Sequence, residues 1–486
     1  MVDVGSNSVR LVLYRLEGRA IWTVYNEKVL AGLGREVAST GRLAPEGVET
    51  AMNALRRFRA VLDGARPAHI HTAATAAVRD ASDGKAFIRR VAEEAGLEIR
   101  VLAGEDEARA SALGVIAGAP DSYGVVGDLG GSSLELTRVE AGQVGAGVTL
   151  PLGPFAMGGR SASPAEAKAE AVRRLRPAAA AFTAPVFHAV GGAWRNLALL
   201  QMRMQGYGLH VVHQYEISAA EALSVARLVS RQSKSSLERI QGMSKKRLET
   251  LPHAAVLLEA LVEQLKFDRV AFSAYGLREG LIFEAMSETL RRRDPLVEGC
   301  AALGARFGVV EDLGPALETW LSPAFEGLET TFTPERDRVL LAAAARLADM
   351  GARLHPDHRA KLVFDQVLRA PIAGQTHAER AFLAAAIHTR YEPDPAAMPE
   401  REVIDRVLTP EGFHRARALG LALRLGCDVS GRSAALLQAS SLCFSNVAVV
   451  LTATPAATDL LLGEQNRKRL NALAAHLELS PVAETG

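Results

Sequence analysis

The sequence predicts an α/β protein of two lobes, each built on a mixed β-sheet, followed by a mainly helical module. Three observations carry that expectation. Short β-type runs alternate with helical ones as far as residue 290. One polar pattern occurs twice, at 3–11 and at 128–136. Beyond Pro295 the strand signal nearly vanishes and Ala/Leu/Arg-rich helices dominate. The expected boundaries are 1–119 and 120–292 for the two lobes and 293–486 for the helical module, with Arg291 to Pro295 as the linker.

In chain order, β-branched and aromatic runs mark strands at Val9 to Tyr14, Ile21 to Tyr25, His69 to Thr75 and Leu97 to Leu102. Between them Val48, Ala51, Met52, Leu55, Phe58 and Leu62 recur at helical spacing over Pro45 to Leu62. Lys85 to Ala95 and Asp106 to Ile116 do the same. The second lobe offers strands at Gly124 to Leu129, Leu134 to Arg138 and Val144 to Leu150. A further strand, Val186 to Val190, feeds Gly191-Gly192 and a helix. Helices at Ser218 to Arg231 and Lys245 to Gln264 precede a strand at Arg269 to Ser273. In the third module the clearest helices are Val339 to Leu354 and Ala378 to His388. A strand-like run at Leu442 to Leu451 and a helix near Ala456 to Leu477 close the chain.

Composition narrows the class without naming a chemistry. The 56 Lys+Arg balance 55 Asp+Glu, so no global field draws the protein to nucleic acid or to a membrane. Three scattered cysteines (Cys300, Cys427, Cys443) exclude a disulfide framework and a Cys-rich zinc site. No apolar run reaches the ~18 residues of a membrane span, and MVDVGSNSVRL has no signal-peptide pattern. A cytoplasmic protein with neither nucleic-acid nor membrane partners is expected.

The repeat carries the chemistry. In DVGSNSVRL and DLGGSSLEL, Asp3 aligns with Asp128, Gly5 with Gly130, Ser8 with Ser133 and Leu11 with Leu136. Each segment reads as strand, tight polar turn, strand. Glycine lets the backbone approach a ligand closely, and successive N–H groups of a Gly/Ser turn form an anion-binding concavity. A carboxylate at the end of the entering strand can hold a hydrated Mg²⁺ or order a water. One such turn alone reads as an ordinary hairpin. Two in register, one opening each lobe, read as paired phosphate grips. Gly191-Gly192 is a possible third element.

These segments resemble the exopolyphosphatase/guanosine pentaphosphate phosphohydrolase family, within the actin–sugar kinase–Hsp70 superfamily of actin-like (ribonuclease H-like) lobes. The resemblance rests on the two hairpins together with TAATAAVRDASDG at 72–84, LAGEDEARA at 102–110, AVGGAWRNLA at 189–198, KKRLETLPHAA at 245–255 and YGLREGL at 275–281. It implies hydrolysis of a terminal phosphoanhydride with Mg²⁺ as cofactor, on inorganic polyphosphate or guanosine pentaphosphate, by a homodimer. It implies that Glu107 is the general base and that Arg79 contacts the phosphates. Asp128 and Glu135 complete the catalytic set and, with Asp3, place the metal. Gly5, Ser6, Asn7, Ser8, Gly130, Gly131, Ser132 and Ser133 hold phosphate, with Gly191 and Gly192 beside them. Without the resemblance, Glu107 would read as part of a solvated helix N-terminus and Arg79 as a surface arginine.

The sequence departs from the family in three places. Only Met1 and Val2 precede Asp3, so the entering strand is expected to be short. Phe155 and Ala156 stand where relatives often carry an arginine. The helical module resembles an HD-type domain, but its expected His-Asp pair reads Ala348-Asp349, which implies a non-catalytic relative. His355, His358 and His388 read as surface or core histidines. Exopolyphosphatase activity is therefore the expectation. The alternatives are a guanosine pentaphosphate phosphohydrolase using the same pocket and a non-catalytic sensor of either ligand. Lys245, Lys246, Arg247 and Arg278 are candidates for a basic track.

Overall fold

Val2 and Val4 are both fully buried, so the short strand β1 (Val2–Val4) lies inside a sheet and not at its edge. The computed structural model describes residues 1–157, 163–232, 236 and 251–486. It places β1 at the centre of a five-stranded sheet with β2 (Val9–Glu17), β3 (Ala20–Val29), β4 (Thr72–Ala74) and β5 (Arg100–Val101), in the order β3-β2-β1-β4-β5. β1 runs antiparallel to β2 and parallel to β4. The second sheet holds β6 (Gly124–Leu129), β7 (Leu134–Glu140), β8 (Gln143–Leu150), β9 (Val186–Val190), β10 (Tyr215–Ser218) and β11 (Arg269–Phe272). Its order is β10-β11-β9-β6-β7-β8. Read from β8 inwards, β8-β7-β6-β9-β11 repeats the first sheet strand for strand, with the same senses of β6 to β7 and to β9. The duplicated hairpin is thus the visible part of a duplicated lobe.

Helices pack against each sheet, and the second is buried on both faces. In the first lobe, Val2, Val4, Val9 and Leu11 pack with Met52, Leu55 and Phe58 of the helix Pro45–Ala65 and with Phe87 and Val91 of Gly84–Ala95. A fully buried side chain of this size contributes ~1.5–3 kcal/mol, so these faces account for why the helical spacing was visible. In the second lobe, Phe187 meets Trp194 edge-on, with ring centroids 5.4 Å apart, beneath the helix Leu251–Leu265. Two further helices, Gly104–Gly118 and Leu277–Ala285, cross at a glycine contact. A Cβ at Gly280 would overlap the Ala110 carbonyl, and one at Gly114 would overlap that of Gly276.

The chain divides into two units, Met1–Leu16 with Ile21–Arg291 and Glu17–Ala20 with Arg292–Gly486. The second unit is mainly helical, from Pro295–Arg306 to Glu464–His476. It also holds a three-stranded sheet of β12 (Ser440–Phe444), β13 (Ala448–Ala453) and β14 (Ser480–Thr485). The run at 442–451 is therefore a hairpin and not one strand, because the chain turns at Ser445, whose amide donates to the Ala448 carbonyl. The helix expected over 456–477 is split into Thr458–Leu461 and Glu464–His476, with Leu462 and Gly463 between them. The helix expected to run on to Leu354 ends at Leu347, because the Gly351 amide goes to the Tyr391 hydroxyl (2.8 Å). β10 and β14 are too short or too polar for the alternation to show. The helix expected from Lys245 is described from Leu251 onward; Lys245, Lys246 and Arg247 lie outside the described residues. Among the described residues no helix is long and apolar enough to cross a membrane.

Candidate active site

The two turns share one hydrogen-bonding scheme. The Gly5 amide donates to the Ser8 carbonyl at 3.0 Å, and the Gly130 amide to the Ser133 carbonyl at 3.0 Å. The Asn7 and Ser6 carbonyls accept from Gly32 (3.0 Å) and Gly34 (2.8 Å). Those of Ser132 and Gly131 accept from Gly153 (3.1 Å) and Phe155 (2.9 Å). The repeat thus extends to the loop after each hairpin, and Phe155 stands where the first lobe has Gly34. The amides of Asn7, Ser8, Ser132 and Ser133 find no backbone acceptor among the described residues. They provide the donors a phosphate-binding turn needs. The turns meet across the lobes, where the Ser132 hydroxyl donates to that of Ser6 at 3.1 Å. Gly191 abuts the second turn's entering strand. Its φ of 118° and the Leu129 carbonyl, 2.6 Å from where a Cβ would stand, admit only glycine, whereas Gly192 faces open space.

Glu107 lies in the first turn of the helix Gly104–Gly118, whose other first-turn acids, Glu105 and Asp106, face away from the core. It is only 7% exposed and is held by the Arg79 guanidinium at 3.1 Å. Arg79 reaches it from the short helix Ala76–Asp80, just beyond β4, and also donates to the Leu102 carbonyl. Burial pushes the Glu107 carboxyl up to about 7; Arg79 pulls it down, while Asp128 and Asp3 add to the rise. A second tie fixes this helix to β7, where the Thr137 hydroxyl donates to the Ala108 carbonyl at 3.3 Å.

Asp128 and Glu135 stand directly opposite each other on β6 and β7. Like charges in such a cross-strand pair repel. Burial raises both carboxyls, Glu135 well above its ordinary value, with Glu107 and Asp128 adding to that rise. Glu135 Oε1 is buried without a hydrogen-bond partner. Asp3, the third expected metal ligand, closes an ion pair with Arg278 at 2.8 Å. Among the described residues no three His, Cys, Asp or Glu side chains converge into a metal cage. A facing pair of carboxylates with an orphaned oxygen fits the other mode, in which Mg²⁺ takes one or two carboxylates and completes its shell with water and phosphate.

Several site groups escaped the sequence reading. Arg10 faces Asp3 across β1 and β2 and donates to Asn26 at 2.7 Å. Burial, then the Arg278 and Arg195 charges, lowers Arg10 to about 10. Burial and Arg10 likewise lower Lys28. Arg195 donates to the Gly191 and Ala274 carbonyls. Arg10 and Arg195 fall inside the motifs quoted above, so their basic character was the available signal, as it was for Arg278, named above as a candidate for the basic track. Behind them the Tyr14 hydroxyl donates to Glu279 at 2.5 Å, which also accepts the Gly276 amide. Ser111 donates to Asp128 from the Glu107 helix. In the helical unit Asp349 is ion-paired with Arg432 (2.7 Å) and Arg390 (3.7 Å).

Comparison with known proteins follows this geometry. The profile of the Ppx/GppA phosphatase family matches residues 12–289, and that described as exopolyphosphatase, C-terminal, matches residues 316–478. The crystal structure of an Aquifex aeolicus member of the Ppx/GppA family is 23% identical and covers 59% of this chain and 98% of its own, with a TM-score of 0.51. An exopolyphosphatase from Cytophaga hutchinsonii is 21% identical over 58% of this chain and 95% of its own, with a TM-score of 0.53. An exopolyphosphatase-like protein is 25% identical over the same shares, with a TM-score of 0.52. The duplicated lobes have the fold of these structures, and the chain, matched by the family profile over more than half its length, belongs to the Ppx/GppA phosphatase family of phosphoanhydride hydrolases.

Proposed function

We propose that the protein is an exopolyphosphatase that releases orthophosphate from the end of inorganic polyphosphate. The observation that carries this reading is Glu107, a buried carboxyl raised to about 7, set between Arg79 and the facing acids Asp128 and Glu135. A group titrating near neutrality is suited to take a proton from water. The terminal phosphate lies against the two turns, where the amides and hydroxyls of Ser6, Asn7, Ser8, Ser132 and Ser133 bind its oxygens. Arg79 orients it and stabilises equatorial charge. Water attacks phosphorus, its proton passes to Glu107, and the bridging P–O bond breaks with the electron pair staying on the shortened chain. When bound at Asp128 and Glu135, Mg²⁺ would offset phosphate charge.

Guanosine pentaphosphate presents the same terminal anhydride and is the second substrate reading. The cluster Arg10, Lys28, Arg195 and Arg278 favours a polyanion extending past the terminal group. Turnover of long polyphosphate, short polyphosphate and guanosine pentaphosphate, measured side by side, tests the assignment, and the nucleotide as preferred substrate would refute it. Glu107→Gln is expected to keep the fold and lower orthophosphate release by about 10²–10⁴-fold; near wild-type release would remove Glu107 from this role. The helical unit is proposed as a non-catalytic HD relative, since arginines surround the one acid left of the expected pair. A cytoplasmic homodimer accompanies the reading, the dimer resting on family resemblance, and sedimentation velocity measures its state.

A further inference from the structure

The duplication makes Asp3 and Asp128 equivalent, yet the structure treats them differently. Each aspartate is reached by a helix outside its own hairpin. From Leu277–Ala285, Arg278 reaches Asp3; from Gly104–Gly118, Ser111 reaches Asp128. One carboxylate is paired with a guanidinium, while the other accepts from an uncharged hydroxyl. Ser111 is 1% exposed and sits one turn beyond Glu107. A buried helical serine commonly returns its proton to the carbonyl four residues back, here that of Glu107. Its proton goes to Asp128 instead. The same helix thereby carries the proposed base and fixes the carboxylate that faces Glu135.

We propose that Ser111 is a positioning residue, holding the Asp128 carboxylate in its working orientation by this hydrogen bond. This rests on the role given above to Asp128. Ser111→Ala is expected to melt near the wild-type temperature and to keep KM for polyphosphate. Its kcat should fall about 10- to 100-fold, the range of a lost hydrogen bond to a charged group. Ser111→Thr, which keeps a hydroxyl on the same carbon, should recover most of that loss. A crystal structure of Ser111→Ala should show the Asp128 carboxylate turned away from the helix. If Ser111→Ala does not fold, Ser111→Cys gives the comparison with a weak donor of similar size. Wild-type kcat in Ser111→Ala beside an impaired Asp128→Asn would overturn the positioning role alone, as would a loss with the carboxylate unmoved. Wild-type turnover by Asp128→Asn would overturn the role of Asp128 itself, and the positioning role with it.

Discussion

Glu107 is an ordinary residue type made unusual by its surroundings. With its carboxyl near 7, a large fraction is protonated at neutral pH and cannot accept a proton from water. The value of kcat/KM should therefore rise with pH through this region and level off above it. Arg79 holds the carboxyl down, so Arg79→Ala should displace the rise to higher pH; an unmoved midpoint in the pH–rate profile would count against the pairing. Stability follows with its own sign. The folded carboxyl lies above its unfolded range, so the native state binds a proton that the unfolded chain releases. Stability from this group is present below the unfolded value near 4.5 and is lost as pH rises through about 7. Wild-type Tm should thus fall more steeply than that of Glu107→Gln between these limits, as paired thermal melts would show. None of this was legible in Glu105-Asp106-Glu107, where all three acids look alike. Only packing selects the one that turns inward.

At the scale of elements, helices were legible wherever one face carried the apolar residues. The helix Pro45–Ala65 buries Ala51, Met52, Leu55, Phe58 and Leu62, all of them visible as a stripe. The crossing of Gly104–Gly118 over Leu277–Ala285 was not legible, because glycine leaves no side chain to pattern. There two backbones touch, and Gly280→Ala would force the Ala110 carbonyl away. It is expected to destabilise by about 1–3 kcal/mol, the usual cost of overpacking, and to lower kcat as well, since Glu107 rides on the displaced helix. Calorimetry and turnover on the same sample check both. An unchanged Tm would mean that the crossing yields more easily than a backbone contact should.

For the molecule as a whole, the core clusters of the two lobes draw, among the described residues, only on residues 1–291. A solved family member aligned over 98% of its own length matches 59% of this chain. A fragment of residues 1–291 should therefore fold cooperatively and release orthophosphate from short polyphosphate. A non-cooperative melt would show that the helical unit is needed for folding.

Identical spacing of Asp, Gly and Ser in two places determined, from sequence alone, that the chain is duplicated and that each copy presents a Gly/Ser turn of the same build. A turn is local, and its residue types are dictated within a few positions of the chain. The tertiary structure alone decided which acid meets a guanidinium and which meets a hydroxyl, because that depends on how distant elements pack. Arg278 lies 275 residues from Asp3, and Ser111 reaches Asp128 from a helix that precedes its strand. Burial and the field of such neighbours, which no local pattern records, separate a working carboxylate from a latch.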